Sequence, residues 1–88
     1  MIKPNITISN ELGIHARPAG MIANTSSRFI CDIKLTKDGM EVNAKSIMGI
    51  MTLAAGKGSV IEVTAKGKDE AEAVAAIVDL FDRKFEED

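Results

Sequence analysis

Apolar and polar positions alternate along residues 2–8, with Ile2, Ile6 and Ile8 on one side and Lys3, Asn5 and Thr7 on the other. A period of two predicts a half-buried strand, and Pro4 places it at a sheet edge or a strand start. A loop over 9–14 follows, with Gly13 as its turn residue. From residue 16 the period lengthens. Ala19, Ile22, Ala23 and Ser26 form a narrow stripe at helical spacing, and Pro18 falls in the first turn, where a missing N–H costs nothing. A helix over 16–28 is predicted. Alternation returns at 30–36 through Cys31, Ile33 and Leu35, and a short partner strand at 40–43 runs through Met40 and Val42. Lys37-Asp38-Gly39 between them is a tight-turn signal.

The second half repeats the scheme. Ser46 is a good N-cap for a short helix over 47–53, and Gly56 and Gly58 end it in a loop. Ile61, Val63 and Ala65 point inward from a strand at 60–65. Asp69, with Glu72 three positions on, predicts a box-like cap on a last helix reaching about Phe85, with Val74, Ile77, Val78, Phe81 and Phe85 as its buried stripe. The predicted order is βαββαβα. Strands that alternate bury one face only, so the predicted fold class is α+β: a four-stranded, mostly antiparallel sheet with three helices on one face.

The 88 residues show no repeat, linker or low-complexity segment, which predicts a single domain spanning 1–88. A net charge of −2, no run of Lys or Arg, and no Trp or Tyr argue against binding nucleic acid. Cys31 is the only cysteine, so no internal disulfide forms and a reducing, cytoplasmic setting is expected. No stretch reads as a signal peptide or a membrane span. One histidine and one cysteine do not make a metal-ligand set, and no cofactor is expected.

The chemistry concentrates in Gly13-Ile14-His15-Ala16-Arg17-Pro18-Ala19. The first N–H groups of a helix lack internal partners, and the macrodipole adds partial positive charge there. Such a terminus binds anions and disfavours a protonated imidazole, so His15 is expected to be neutral and nucleophilic. Arg17 can add guanidinium donors to the oxygens of a phosphate. This kit suits a carrier of phosphoryl groups rather than a hydrolase, because no carboxylate is paired with the histidine in the motif. A lone histidine before a helix is, however, ordinarily a surface residue or a cap, and spacing by itself does not separate the two readings.

Two motifs do separate them. Gly13-Ile14-His15-Ala16-Arg17-Pro18-Ala19 and Asn43-Ala44-Lys45-Ser46-Ile47-Met48-Gly49, at this spacing in a chain of this length, closely resemble the HPr family, the histidine-containing phosphocarriers of the bacterial sugar phosphotransferase system. The resemblance implies an open-faced β-sandwich. It implies that His15 takes a phosphoryl group on Nδ1 from phosphorylated enzyme I, that Arg17 stabilises it, and that EIIA domains of sugar permeases receive it. The protein would then be a monomeric carrier and not an enzyme. The family usually has a short polar residue before Gly13 that helps to orient the histidine ring; here it is Leu12.

Ser46 has two readings. It is an ordinary N-cap, and the resemblance adds phosphorylation by an HPr kinase/phosphorylase. A phosphate there would place about two negative charges on the surface that a phospho-donor must approach. The short helix carries more apolar residues than it can bury. Ile50 and Leu53 are expected in the core, and Ile47, Met48 and Met51 on a partner surface beside His15, bordered by Ala16, Gly20 and Asn24. Met21 covers either that surface or the core edge. Two other functions share the sequence features. A regulatory binding module would act through Ser46 on a transcriptional regulator or an enzyme rather than on sugar transport. An unrelated α+β enzyme or RNA-binding domain is disfavoured by the charge, the missing aromatics and the lack of a second catalytic group. The acidic end Glu86-Glu87-Asp88 reads as solvated.

Overall fold

The computed structural model describes residues 1–86. The elements follow the order β1 (Asn5–Thr7), α1 (Ala16–Ser26), β2 (Asp32–Lys37), β3 (Met40–Asn43), α2 (Ile47–Met51), β4 (Val60–Lys66) and α3 (Glu70–Asp82), with a short 3₁₀ turn at Lys84–Glu86. The four strands lie in the order β1-β4-β2-β3, and each neighbouring pair is antiparallel. Ile61, opposite Ile6, and Val63, opposite Leu35, project with Ile33 and Ala65 into one core, closed by Ile22, Ile50, Ile77 and Phe81 from the three helices. The opposite face carries half-buried and exposed polar residues such as Lys34, Thr36, Glu62 and Thr64. This is the open-faced α+β sandwich that the alternating strands require.

The edge position of β1 explains Pro4. The proline has no N–H to give, and its carbonyl accepts from Val63 N at 2.9 Å. Ile2 makes a separate bridge to Ala65, so the predicted strand over 2–8 is interrupted at the proline.

Three expectations are corrected. The first concerns α3, which is not capped by an Asp69–Glu72 box. Asp69 occupies the N-cap position but makes no capping bond. Its carboxylate accepts instead from the N–H groups of Ile30 (2.9 Å) and Cys31 (3.0 Å), which lead into β2. These bonds hold the Asp69 carboxyl below the usual carboxylate range, the Ile30 N–H contributing most. Glu70 takes over locally, accepting from Gly67 N at 3.0 Å and pairing with the amino terminus at 2.8 Å. Tertiary partners outbid the local cap because the start of β2 has backbone donors to satisfy.

The second correction is the end of α3. The helix stops at Asp82, and Lys84, Phe85 and Glu86 take left-handed φ values of 52°, 54° and 60°. Each such residue costs of order 1 kcal/mol. The turn drops Phe85 into full burial, edge-to-face on Phe81 with ring centroids 4.9 Å apart. Burying a phenylalanine contributes roughly 1.5–3 kcal/mol, which offsets much of the strain. The third is the α3 stripe, which includes Ala73 and Leu80, whereas Val74 and Val78 are only half-buried. Boundaries also shift: α1 ends at Ser26 and α2 at Met51, and β2 starts at Asp32. Of the acidic end, Glu86 is exposed and lies 3.3 Å from Arg83; the expectation for Glu87 and Asp88 falls outside the described residues.

Candidate phosphoryl-accepting site

Two loops meet in front of α1. In the first, Asn10 is buried, and its Nδ2 donates to the Gly13 carbonyl at 2.8 Å. Gly13 takes φ +68°, and a Cβ there would lie 2.4 Å from the Ala55 carbonyl oxygen and 2.7 Å from Gly56 Cα. Only glycine allows both the left-handed turn and this approach. The next residue, Ile14, is buried and donates its N–H to the Ala55 carbonyl at 2.9 Å. At the rim, Glu11 and Lys57 pair at 2.8 Å. This lowers the Glu11 carboxyl, chiefly through the Lys57 hydrogen bond. Both side chains are largely exposed, so the pair adds little stability.

His15 then becomes the N-cap of α1, extended at φ −91°, ψ −167°, and its side chain makes no capping bond. Its carbonyl accepts the first intrahelical bond, from Ala19 N at 2.9 Å. The peptide groups ahead of Ala19 have no acceptor inside the helix, Pro18 contributes no N–H, and no acidic residue occupies the first turn. The helix start therefore places the positive end of an 11-residue dipole next to a half-buried imidazole. Arg17 lies two residues on, in that same turn. Its Nη1 donates to the Phe85 carbonyl at 2.7 Å, so the left-handed C-terminal turn reaches back to the site.

Ser46 caps α2, its Oγ accepting from Gly49 N at 3.0 Å. Ile50 and Leu53 are buried, whereas Ile47, Met48 and Met51 are 45, 77 and 43 % exposed. Helix α2 packs on α1, whose Ala16 and Asn24 are exposed and whose Gly20 is half-buried. A Cβ on Gly20 would meet nothing within 4 Å, so no internal packing demands glycine there. Farther along, Met21, Asn24, Thr25 and Arg28 line an open groove of about 390 Å³ with Leu80 of α3; Met21 packs at the edge of the core and lines the groove at once. Leu12 projects into solvent at 72 % exposure. Cys31 is buried, and burial, with a hydrogen bond to Asp69, pushes its thiol up to about 11. It is an inert core residue.

Sequence reasoning did not single out three parts of this site: Asn10, the Ala55 carbonyl and the Phe85 carbonyl. Only Asn10 carried a local signal, an asparagine three residues before a turn glycine. The other two are backbone groups brought in from distant elements. Among the described residues there is no cluster of three or more His, Cys, Asp or Glu side chains that could hold a metal ion, and no helix is long and apolar enough to cross a membrane.

Comparison with known proteins agrees with this geometry. Residues 2–83 match the family described as the phosphotransferase-system HPr component phosphorylation site. The chain is 48 % identical to the phosphocarrier protein HPr of Treponema pallidum over 88 residues, covering 100 % of both chains. It is 48 % identical to HPr of Neisseria meningitidis serogroup A over 87 residues, covering 99 % of this chain and 98 % of the relative. The crystal structure of HPr-C-His from Thermoanaerobacter tengcongensis superposes with a TM-score of 0.96 at 48 % identity, covering 100 % of this chain and 99 % of that one. Crh, the Bacillus subtilis catabolite repression protein, crystallised as a domain-swapped dimer, superposes at 0.76 with 37 % identity, covering 94 and 95 %. The fold, the histidine-bearing helix start and these relatives lead to one conclusion: the chain belongs to the HPr family of phosphocarrier proteins of the phosphotransferase system.

Proposed function

We propose that this chain carries phosphoryl groups on His15, taking them from phosphorylated enzyme I and passing them to EIIA domains of sugar permeases. The whole chain would work as one monomeric, cytoplasmic domain. It would be modified once per transfer rather than acting as an enzyme. The placement of His15 at the N-cap of α1 carries the reading. A ring nitrogen, Nδ1 on the family pattern, attacks phosphorus; the bond from phosphorus to the donor breaks, and the donor keeps the electron pair. Three phosphate oxygens then need donors, and transfer of this kind depends on positioning and charge stabilisation. The helix dipole supplies part of that. The Arg17 side chain supplies the rest by bringing donors round from the Phe85 carbonyl, an exchange that favours the charged acceptor.

The partners would dock on Ile47, Met48 and Met51 together with Ala16, Gly20 and Asn24. Exposed methionines adapt to more than one surface. The absence of any packing reason for Gly20 fits close approach by another protein. Ser46 adjoins this face. A phosphate placed there by an HPr kinase/phosphorylase would repel an acidic donor and slow transfer.

Incubation with phosphoenolpyruvate and enzyme I is expected to yield an acid-labile phosphate on the chain, absent from His15→Ala. Labelling of His15→Ala would refute the assignment. The likeness to Crh supports a second reading, in which the protein mainly binds a transcriptional regulator through Ser46. Regulatory effects that survive His15→Ala but not Ser46→Ala would select it.

A further inference from the structure

The geometry points to Asn10 as the positioning residue of the phosphoryl-accepting loop, an inference that rests on the reading of His15 as acceptor. Asn10 is 1 % exposed, and a side-chain amide is rarely buried so fully without bonds that matter. Its Nδ2 donates to the Gly13 carbonyl at 2.8 Å, while Gly13 N donates to the Asn10 carbonyl at 3.2 Å. The turn over 10–13 is therefore closed by side chain and main chain together.

The bond has a particular target. The peptide group between Gly13 and Ile14 is gripped at both ends, its oxygen by Asn10 and its N–H by the Ala55 carbonyl at 2.9 Å. A peptide is planar, so fixing both ends fixes Gly13 ψ and Ile14 φ. The next residue is His15. Its extended N-cap conformation, and with it the direction of the imidazole, starts from that peptide plane. The residues between contribute no comparable anchor: Leu12 projects into solvent, and Glu11 makes an exposed ion pair. Asn10 touches no reacting atom. It acts through the backbone, by holding the ring at the angle from which nitrogen meets phosphorus. Misplacing a reacting group by about 1 Å can cost on the order of 100-fold in rate.

The test uses the full chain and three variants: Asn10→Ala, Asn10→Asp, and Glu11→Ala as a control in the same loop. Single-turnover transfer from phosphorylated enzyme I is timed by rapid quench, and docking affinity is measured separately with unphosphorylated enzyme I. We expect Asn10→Ala to transfer about 10- to 100-fold more slowly, with the docking Kd unchanged and the His15 ring proton shifts displaced. Asn10→Asp should be slow at neutral pH, where a carboxylate faces the Gly13 carbonyl. Its rate relative to the parent at the same pH should rise as mild acid protonates it, because a carboxylic acid can donate that bond. Glu11→Ala should keep the parent rate. Folded Asn10 variants that transfer at the parent rate, or that lose rate only through a weaker Kd, would overturn the role. If neither variant folds, the parent decides: the Asn10 side-chain amide protons should exchange with solvent as slowly as Ile14 N–H. Exchange as fast as at exposed Asn5 and Asn24 would overturn the inference. A parent that takes no phosphoryl group overturns the carrier reading as well. A parent labelled on His15 with unaltered Asn10 variants overturns the positioning role alone.

Discussion

Replacing Gly13 by alanine sets a backbone collision against the whole stability of the protein. Two costs add. Alanine at φ +68° is strained by about 1–2 kcal/mol. The added Cβ would sit 2.4 Å from the Ala55 oxygen and 2.7 Å from Gly56 Cα, both backbone atoms that cannot rotate away. Relief requires the two loops to part, which breaks the 2.9 Å bond from Ile14 N to Ala55 O in a buried setting. A buried, unsatisfied pair costs about 1–3 kcal/mol. The sum is about 2–5 kcal/mol. Against it stands a total of roughly 4–13 kcal/mol for 88 residues, at about 0.05–0.15 kcal/mol per residue. With m near 1–1.5 kcal/mol/M, the urea midpoint should fall by at least about 1.3 M. Gly39→Ala isolates the strain, since Gly39 has φ +82° but nothing within 4 Å of its Cβ. Equal midpoint shifts for the two variants would refute the collision argument, as would a fall of less than about 0.5 M for Gly13→Ala.

Three further outcomes follow from single residues. Gly20→Ala, in a helix interior with open space around the new methyl, should stabilise the fold by about 0.8–1 kcal/mol, or roughly 4–8 °C in Tm by calorimetry; slower transfer in this more stable variant would locate a partner against α1. Ser26→Ala should raise stability by about 1 kcal/mol in urea unfolding, because the Ser26 hydroxyl is buried without a hydrogen-bond partner among the described residues; a loss of stability would show that the hydroxyl is satisfied in solution. The Asp69 carboxyl is depressed in the folded state, so its contribution is fully present above the unfolded value near 4 and is lost as pH falls through the folded one. Asp69→Asn should therefore destabilise the protein at pH 6 and approach the parent in acid, and a difference that stays constant from pH 6 to pH 2 would contradict this.

Much of the fold was legible because local patterning and tertiary burial agree. The alternation in 30–36 and 60–65 reappears as the buried Ile33, Leu35, Ile61, Val63 and Ala65, and the Lys37-Asp38-Gly39 signal reappears as the β2–β3 turn. Pro4 marked an edge strand because a residue without an N–H cannot sit inside a ladder. The placement of His15 and Arg17 at a helix start was legible for a similar reason: helix starts are written locally. Tertiary structure alone decided which groups cross the chain to meet them. Asp69 follows a local rule in the sequence, yet bonds to the start of β2 because those backbone donors would otherwise go unmet. Phe85 continues a helical stripe in the sequence, yet the chain leaves the helix to bury that ring and to offer its carbonyl to Arg17. Leu12 projects into solvent, while the loop beneath it is held by buried Asn10 and by Ala55 across the gap. Sequence spacing records contacts three or four residues apart. It does not record which distant carbonyl faces which donor, and in this protein such pairs shape the ground on which His15 stands.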